Sequence, residues 1–279
     1  MTGQERWLIE ELIARYENEP TLRDVFVEGV FDCEVFNRVY EGQAKCPVFY
    51  SIDSVNVSRE VLAKYGLTLG NRQRVIALAK ELEELQEGAA VRFMADRDLD
   101  HWFAGLEEVV RLKWTMFTCV EAHFLTPEAL REIVRVAAAA DVTDVVRFAR
   151  SIECVLRDLY SLRLVDRQLT LNMSWVALRR YLSRRKDEVI FDAERYIDAL
   201  LNSNQLFRRK AEVIASWAAW KGADAPDSRQ VMQGHDLTEL LAWAVSAFGG
   251  VKTFASTEAI ERLFVVLAKG VPTLAEELV

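Results

Sequence analysis

The 279-residue chain holds four cysteines, three histidines and five prolines, and no run of about 18 uncharged apolar residues. Cys33, Cys46, Cys119 and Cys154 lie far apart with no C-x-x-C pair, which excludes a zinc ribbon and a dithiol redox motif and predicts reduced thiols. His101, His123 and His235 are equally scattered, and without an i, i+4 pair they exclude a helical histidine metal site. The lack of a long apolar run, together with the charges interleaved through residues 1–19, predicts a soluble cytoplasmic protein with no membrane partner. Basic charge is not in excess either. Lys and Arg number 35 against 43 Asp and Glu, and the net charge of −8 excludes a uniformly basic coat while leaving room for local patches. What is present, 51% hydrophobic and 28% charged residues, is globular composition and excludes disorder.

Two hydrophobic periods alternate in the first half. Residues 5–18 repeat apolar positions at helical spacing (Trp7, Leu8, Leu12, Ile13, Tyr16), and residues 23–27 read as a short strand. A helix from Asp32 to Tyr40, a strand over 48–52, a helix from Asn71 to Gln86, a strand over 91–95 and a fourth strand over 115–120 follow. This order predicts an α/β fold with a mainly parallel four-stranded sheet flanked by helices, whose functional residues gather at the carboxyl ends of the strands. After about residue 127 the pattern is helical: 127–138, 142–164, 174–184, 188–201 and 204–221, a linker-like loop over 222–228, then Gly234-His235-Asp236 opening another helix before a final pair. The expected divisions are an N-terminal helix (1–22), an α/β domain (23–135) and a large all-helical C-terminal part (136–279).

Carboxylates stand where the strands end. Glu28 closes the first strand, Gly29 allows a tight turn after it, and Asp32 opens the next helix. Asp96 and Asp98 close the third strand on one face if the chain stays extended, with Asp100 beyond them, and Glu121 follows the fourth strand. Carboxylates brought together at these ends repel one another, so either their pKa values rise or a cation joins them; magnesium or manganese, which take oxygen ligands, is the natural partner.

Basic residues form two further groups. Gly70-Asn71-Arg72-Gln73-Arg74 places Arg72 and Arg74 at a helix N-terminus, where a phosphate is favoured and a plain cap is an equal explanation; Lys80 lies further along that helix. Arg179, Arg180, Arg184, Arg185 and Lys186 surround Tyr181, with Arg208-Arg209-Lys210 beyond. They read equally as a nucleic-acid contact or as a solvated face balanced by Asp187, Glu188 and Glu194. Trp102-Phe103 reads as core, and Trp175, Trp217, Trp220 and Trp243 as core or interface. The amphipathic N-terminal helix and the tryptophan-rich helices predict a homodimer.

Residues 23–121, through Val27-Glu28-Gly29-Val30-Phe31-Asp32 and Met94-Ala95-Asp96-Arg97-Asp98, resemble the TOPRIM domain shared by topoisomerases, bacterial primases and OLD-family nucleases. The Glu-x-x-x-Asp form resembles the nuclease branch. Gly70-Asn71-Arg72, Glu121 and Gly234-His235-Asp236 extend the resemblance to bacterial stand-alone TOPRIM proteins with a helical C-terminal half, the family that includes the toxic effector of PARIS anti-phage defence. The resemblance implies a two-metal phosphodiester hydrolase with Glu28, Asp32, Asp96 and Asp98 as catalytic metal ligands, Glu121 as a further ligand, and two magnesium or manganese ions. It also implies an endonuclease that cuts transfer RNA in preference to DNA after release from an ABC-type ATPase partner. An OLD-like DNA nuclease and a non-catalytic module that regulates an ATPase are the alternatives.

Overall fold

A computed structural model describes residues 6–43, 46–103, 105–223, 225 and 227–278. Asp224 and Pro226 of the expected linker loop lie outside these residues. The chain divides into two units, residues 1–116 with 265–279, and residues 117–264.

The first unit is built on four parallel strands, β1 (Asp24–Val27), β2 (Val48–Ser51), β3 (Arg92–Ala95) and β4 (Leu112–Trp114), in the order β2-β1-β3-β4. Every residue of β1 is buried, as expected for a central parallel strand covered on both faces. Phe26 stacks on Tyr50 of β2 and on Phe93 of β3, at 5.6 and 5.8 Å between ring centroids. On that face the core continues into Ile9, Leu12 and Tyr16 of α1 (Ile9–Asn18) and Val75 and Leu78 of α4 (Asn71–Glu81), with α3 (Arg59–Lys64) leading into α4. Phe49 points to the other face, where Phe36 of α2 (Val30–Tyr40) stacks on it at 5.2 Å. Asp24, buried at the start of β1, accepts from Arg15 and from the Tyr16 hydroxyl at 3.2 and 3.0 Å, so its charge is paired. The chain's last segment returns to this unit: the Tyr40 hydroxyl donates to Ala275 O at 3.2 Å, and the buried Glu277 carboxylate accepts the Met116 N–H at 2.8 Å.

The fourth strand lies at 112–114, not 115–120. Arg111, at φ 64°, turns the chain into β4, and residues 120–124 form a 3-10 turn that carries Glu121.

The second unit contains α5 (Pro127–Leu130), which continues as a π-helical stretch over Arg131–Ala137, then α6 (Val145–Gln168), α7 (Ala193–Ser203), α8 (Lys210–Lys221), α9 (Gly234–Ala247) and α10 (Thr257–Leu267), whose end crosses the boundary at 264/265. It is not all helical. The expected helix over 174–184 gives way to a 3-10 turn at Leu178–Tyr181 and an antiparallel hairpin, β5 (Leu182–Arg185) and β6 (Glu188–Phe191), while the helix expected over 188–201 is present but starts later, as α7. Lys186 takes φ 54° in the two-residue loop, and Asp187 accepts from the Thr143 N–H and hydroxyl, both at 2.8 Å, which pins the turn. Asp192 then caps α7 through the Arg195 N–H. Among the described residues no helix is long and apolar enough to cross a membrane.

Candidate carboxylate centre

Strand β1 leads through α2 to the sheet edge on one side, whereas β3 leads to β4 on the other, so the carboxyl ends of β1 and β3 flank the point where the strand order reverses. In open parallel sheets this crevice is the place where ligands bind. Glu28 and Asp96 stand on its two sides. The Asp96 N–H donates to Glu28 Oε1 at 2.8 Å, and the Asn71 side chain donates to Glu28 O at 3.0 Å, tying the end of β1 both to β3 and to the start of α4. Burial pushes the Glu28 carboxyl up to about 8; the charges of Asp98 and Asp32 add to the rise, while the Asp96 N–H and Arg72 oppose it. Asp32 and Asp98 therefore both act on Glu28 by their charge, although they follow two different strands.

Two local expectations change. Gly29 sits at φ −132°, ψ 168°, an extended conformation open to any residue; the turn into α2 is made instead by Asp32, whose Oδ2 accepts the Gly29 N–H at 2.9 Å. The Asp96-Arg97-Asp98 run does not stay extended: β3 ends at Ala95 and Asp98 takes φ 46°, a left-handed conformation that aspartate tolerates. Asp98 thus reaches Glu28 electrostatically by a turn rather than by strand alternation.

Arg72 lies among these acids. Its side chain is 12% exposed, one terminal nitrogen bonds to Asp100, the other is 3.9 Å from Asp98, and its guanidinium lies 5.0 Å from the Trp114 ring centroid. Gly70 positions it: as the residue before α4 it has φ 143°, a conformation that side chains disfavour. No spacing signal links Arg72 to Asp98 and Asp100, because the contact joins the start of α4 to the loop after β3. Arg74, two positions on, has a different use. It donates to Asp53 and Asn71 side chains and to the carbonyls of Ile52 and Val55 at 2.7 to 3.0 Å, clamping the turn after β2. Lys80 pairs with Glu107. Phe103, expected in the core, is 38% exposed.

A hard divalent cation suits the donor set, which is all carboxylate oxygen and under mutual repulsion at Glu28. Among the described residues, however, no group of three or more His, Cys, Asp or Glu side chains is gathered to hold a metal ion. In the described arrangement Arg72 supplies the positive charge at Asp98 and Asp100.

Glu121 belongs to the second unit, where its carboxylate packs against Gly234, the first residue of α9. A Cβ at Gly234 would lie 2.3 Å from Glu121 Cδ and Oε2, so glycine is required for the carboxylate to sit at this positive helix end. His235 is exposed, and Asp236 is buried, held by Arg163 through Nε at 2.9 Å and a terminal nitrogen at 2.5 Å, with the guanidinium 4.3 Å from the Trp175 ring centroid. The Gly-His-Asp run is thus organised around a helix start and a buried ion pair. Spacing concealed the partner, since Arg163 lies 73 residues earlier.

The basic run is divided between the 3-10 turn Leu178–Tyr181, which carries Arg179 and Arg180, and the hairpin. Arg184 bonds Asp141 at 2.7 Å and covers Phe248, while Arg185 and Arg147 both pair with Glu188. Arg179, Arg180 and Lys186 are exposed and make no ion pair among the described residues. Trp217 and Trp220 donate through Nε1 to Asp158 O and Gln168 Oε1, so both are anchored on α6.

Compared with known proteins, the chain matches no family model and no curated protein.

Proposed function

We propose that the chain is a divalent-cation-dependent phosphodiesterase, an endonuclease whose centre is Glu28, Asp32, Asp96 and Asp98. The observation that carries this reading is the juxtaposition of Glu28 and Asp96 at the crevice between β1 and β3, where burial, and after it the charges of Asp98 and Asp32, raises the Glu28 carboxyl. Those four carboxylates would hold magnesium or manganese, and such ions supply Lewis-acid stabilisation of the phosphate and an activated water. Asn71 and the Asp96 N–H orient the end of β1, Asp32 fixes the α2 start beside Glu28, and Arg72 offers a guanidinium suited to a phosphate. Exposed Arg179, Arg180 and Lys186 of the second unit supply further phosphate contacts. The TOPRIM resemblance favours transfer RNA over DNA as substrate and an ABC-type ATPase as regulator, in anti-phage defence.

The decisive experiment compares the parent chain with Glu28→Ala on transfer RNA, single-stranded DNA and duplex DNA in magnesium and manganese. The parent is expected to cut, and Glu28→Ala to lose at least about a hundredfold in rate with its circular dichroism unchanged. Equal cutting by the two proteins overturns the assignment.

A second reading, a non-catalytic module that binds an ATPase, is favoured by Arg72, which already neutralises Asp98 and Asp100. Under it the parent chain cuts none of the three substrates and Glu28→Ala leaves the complex intact.

A further inference from the structure

Polar side chains of both signs stand without partners around one groove of the second unit. A cavity of about 530 Å³ is lined by Arg179, Glu239, Trp243 and the start of α10, and it adjoins a cavity of about 330 Å³ lined by Trp175 and His235, the two sharing Ala177 and Glu239. Helix α9 forms the floor, since His235, Glu239 and Trp243 recur every four residues along it and so share one stripe. Glu239 and Trp243 are half-buried and Arg179 is exposed; among the described residues these three side chains make no hydrogen bond, ion pair or ring contact. The groups around them are committed: Asp236 to Arg163, the Tyr196 hydroxyl to Val176 O at 3.2 Å, and Ser256 Oγ to the Ala259 N–H at 3.2 Å. Glu258 accepts from its own backbone N–H and from the Ser256 and Thr257 hydroxyls, which lowers its carboxyl.

Three features choose the ligand. An indole with no ring contact of its own takes a flat, unstacked ring. A carboxylate one helical turn away takes N–H donors at the edge of that ring, and guanine is the base that presents two side by side, N1–H and the exocyclic amine, to match two carboxylate oxygens. An exposed guanidinium takes a phosphate. Size agrees, because small-ligand sites span about 300–1,000 Å³, and the adjoining cavity leaves room for the next nucleotide of a strand. Charge agrees as well: the second unit carries 20 Lys and Arg against 20 Asp and Glu, so the whole net charge of −8 belongs to the first unit and a phosphate meets no general repulsion here.

We propose that this groove binds one unstacked guanine nucleotide, its base against Trp243, its N1–H and exocyclic amine donating to Glu239, and its phosphate at Arg179. The site lies wholly within the second unit, goes beyond the nuclease reading and does not depend on the carboxylate centre.

The test titrates the full chain in EDTA against labelled uridine pentanucleotides that carry guanosine, adenosine, cytidine or uridine at the middle position, with fluorescence anisotropy as the readout. The guanosine strand is expected to bind about tenfold more tightly than the all-uridine strand. Glu239→Gln should erase that preference. Trp243→Ala should weaken every strand about tenfold, with part of the loss recovered in Trp243→Phe, and Arg179→Met should weaken all strands alike and reduce the slope of log affinity against log salt by about 0.7. A purely structural Glu239 would not alter the choice among bases. Unlabelled guanosine monophosphate separates the two sources of the ligand: displacement at concentrations equal to the strand's assigns the site to a free nucleotide, and displacement only in large excess assigns it to a nucleotide within a strand. Equal binding of the four strands by the parent, a guanosine preference that Glu239→Gln retains, or no displacement by guanosine monophosphate overturns the proposal. None of these outcomes involves cleavage, so the Glu28→Ala comparison tests the nuclease reading separately.

Discussion

Glu28 Oε1 accepts the Asp96 N–H at 2.8 Å, joining the ends of two adjacent strands that are 68 residues apart in the chain. The bond places a half-buried carboxyl where its own charge is disfavoured, and that has a pH signature.

The Glu28 carboxyl rises from an ordinary value of 4.5 to about 8 on folding. The folded protein therefore binds the extra proton between these values, and stability falls as pH rises from about 4.5 through 8. In chelator, Glu28→Gln keeps an acceptor for the Asp96 N–H and removes the titration. Its melting temperature should exceed the parent's by several degrees at pH 9 and approach it near pH 4.5. Thermal melts across pH check this, and parallel curves for the two proteins would contradict it.

Gly234→Ala puts a methyl group where the Glu121 carboxylate sits. The carboxylate is the end of a flexible side chain, so it can swing away at the loss of its favourable place at the α9 N-terminus, a cost of about 1 kcal/mol. In a Glu121→Ala background the same substitution should cost much less. Urea denaturation of the four proteins of this cycle measures the coupling, and additive effects would remove the contact from consideration.

The Arg163–Asp236 pair is 18% and 7% exposed and bonded through two nitrogens. Asp236→Ala strands the guanidinium and should destabilise the second unit by about 3–5 kcal/mol, whereas Arg163→Met with Asp236→Leu should recover part of that loss. Comparison of chemical denaturation midpoints for the single and double variants tests this.

The four thiols should separate by reactivity. Burial, reinforced by the charge of Asp32, pushes the Cys33 thiol up to about 12, and Cys119 is also buried. Cys46 and Cys154 are exposed, with burial of the sulfur and nearby acids raising Cys154. At pH 8 a maleimide should label Cys46 first, Cys154 more slowly, and Cys33 and Cys119 only in denaturant. Peptide mapping by mass spectrometry reads the order, and early labelling of Cys33 would mean that α2 is more open than described.

Much of the first unit was legible because its signals are local. The apolar run at 25–27, the charged amphipathic pattern of α4 and the apolar residues before Asp96 each report their own secondary structure, and their alternation leads to a parallel sheet. The hairpin was not legible: Leu182, Val189, Ile190 and Phe191 are compatible with either period, and the turn between them is pinned by Thr143, a residue outside the local window. Gly29 and the Asp96-Arg97-Asp98 run looked decisive for the wrong local reason. A glycine at φ −132° needs no special freedom, and the strand expected to carry Asp98 ends at Ala95, before Asp98 turns left-handed.

The sequence by itself determined that Glu28 and Asp96 follow strands and that the first half alternates strand and helix, since hydrophobic periodicity depends only on neighbours in the chain. Only the tertiary structure decided the strand order that sets Glu28 beside Asp96, the insertion of Arg72 among Asp98 and Asp100, the glycine that admits Glu121 at the start of α9, and the return of residues 265–279 to the first unit. Each of these is a pairing between residues far apart in the chain. It is selected by burial and charge in the folded molecule, to which local spacing is blind.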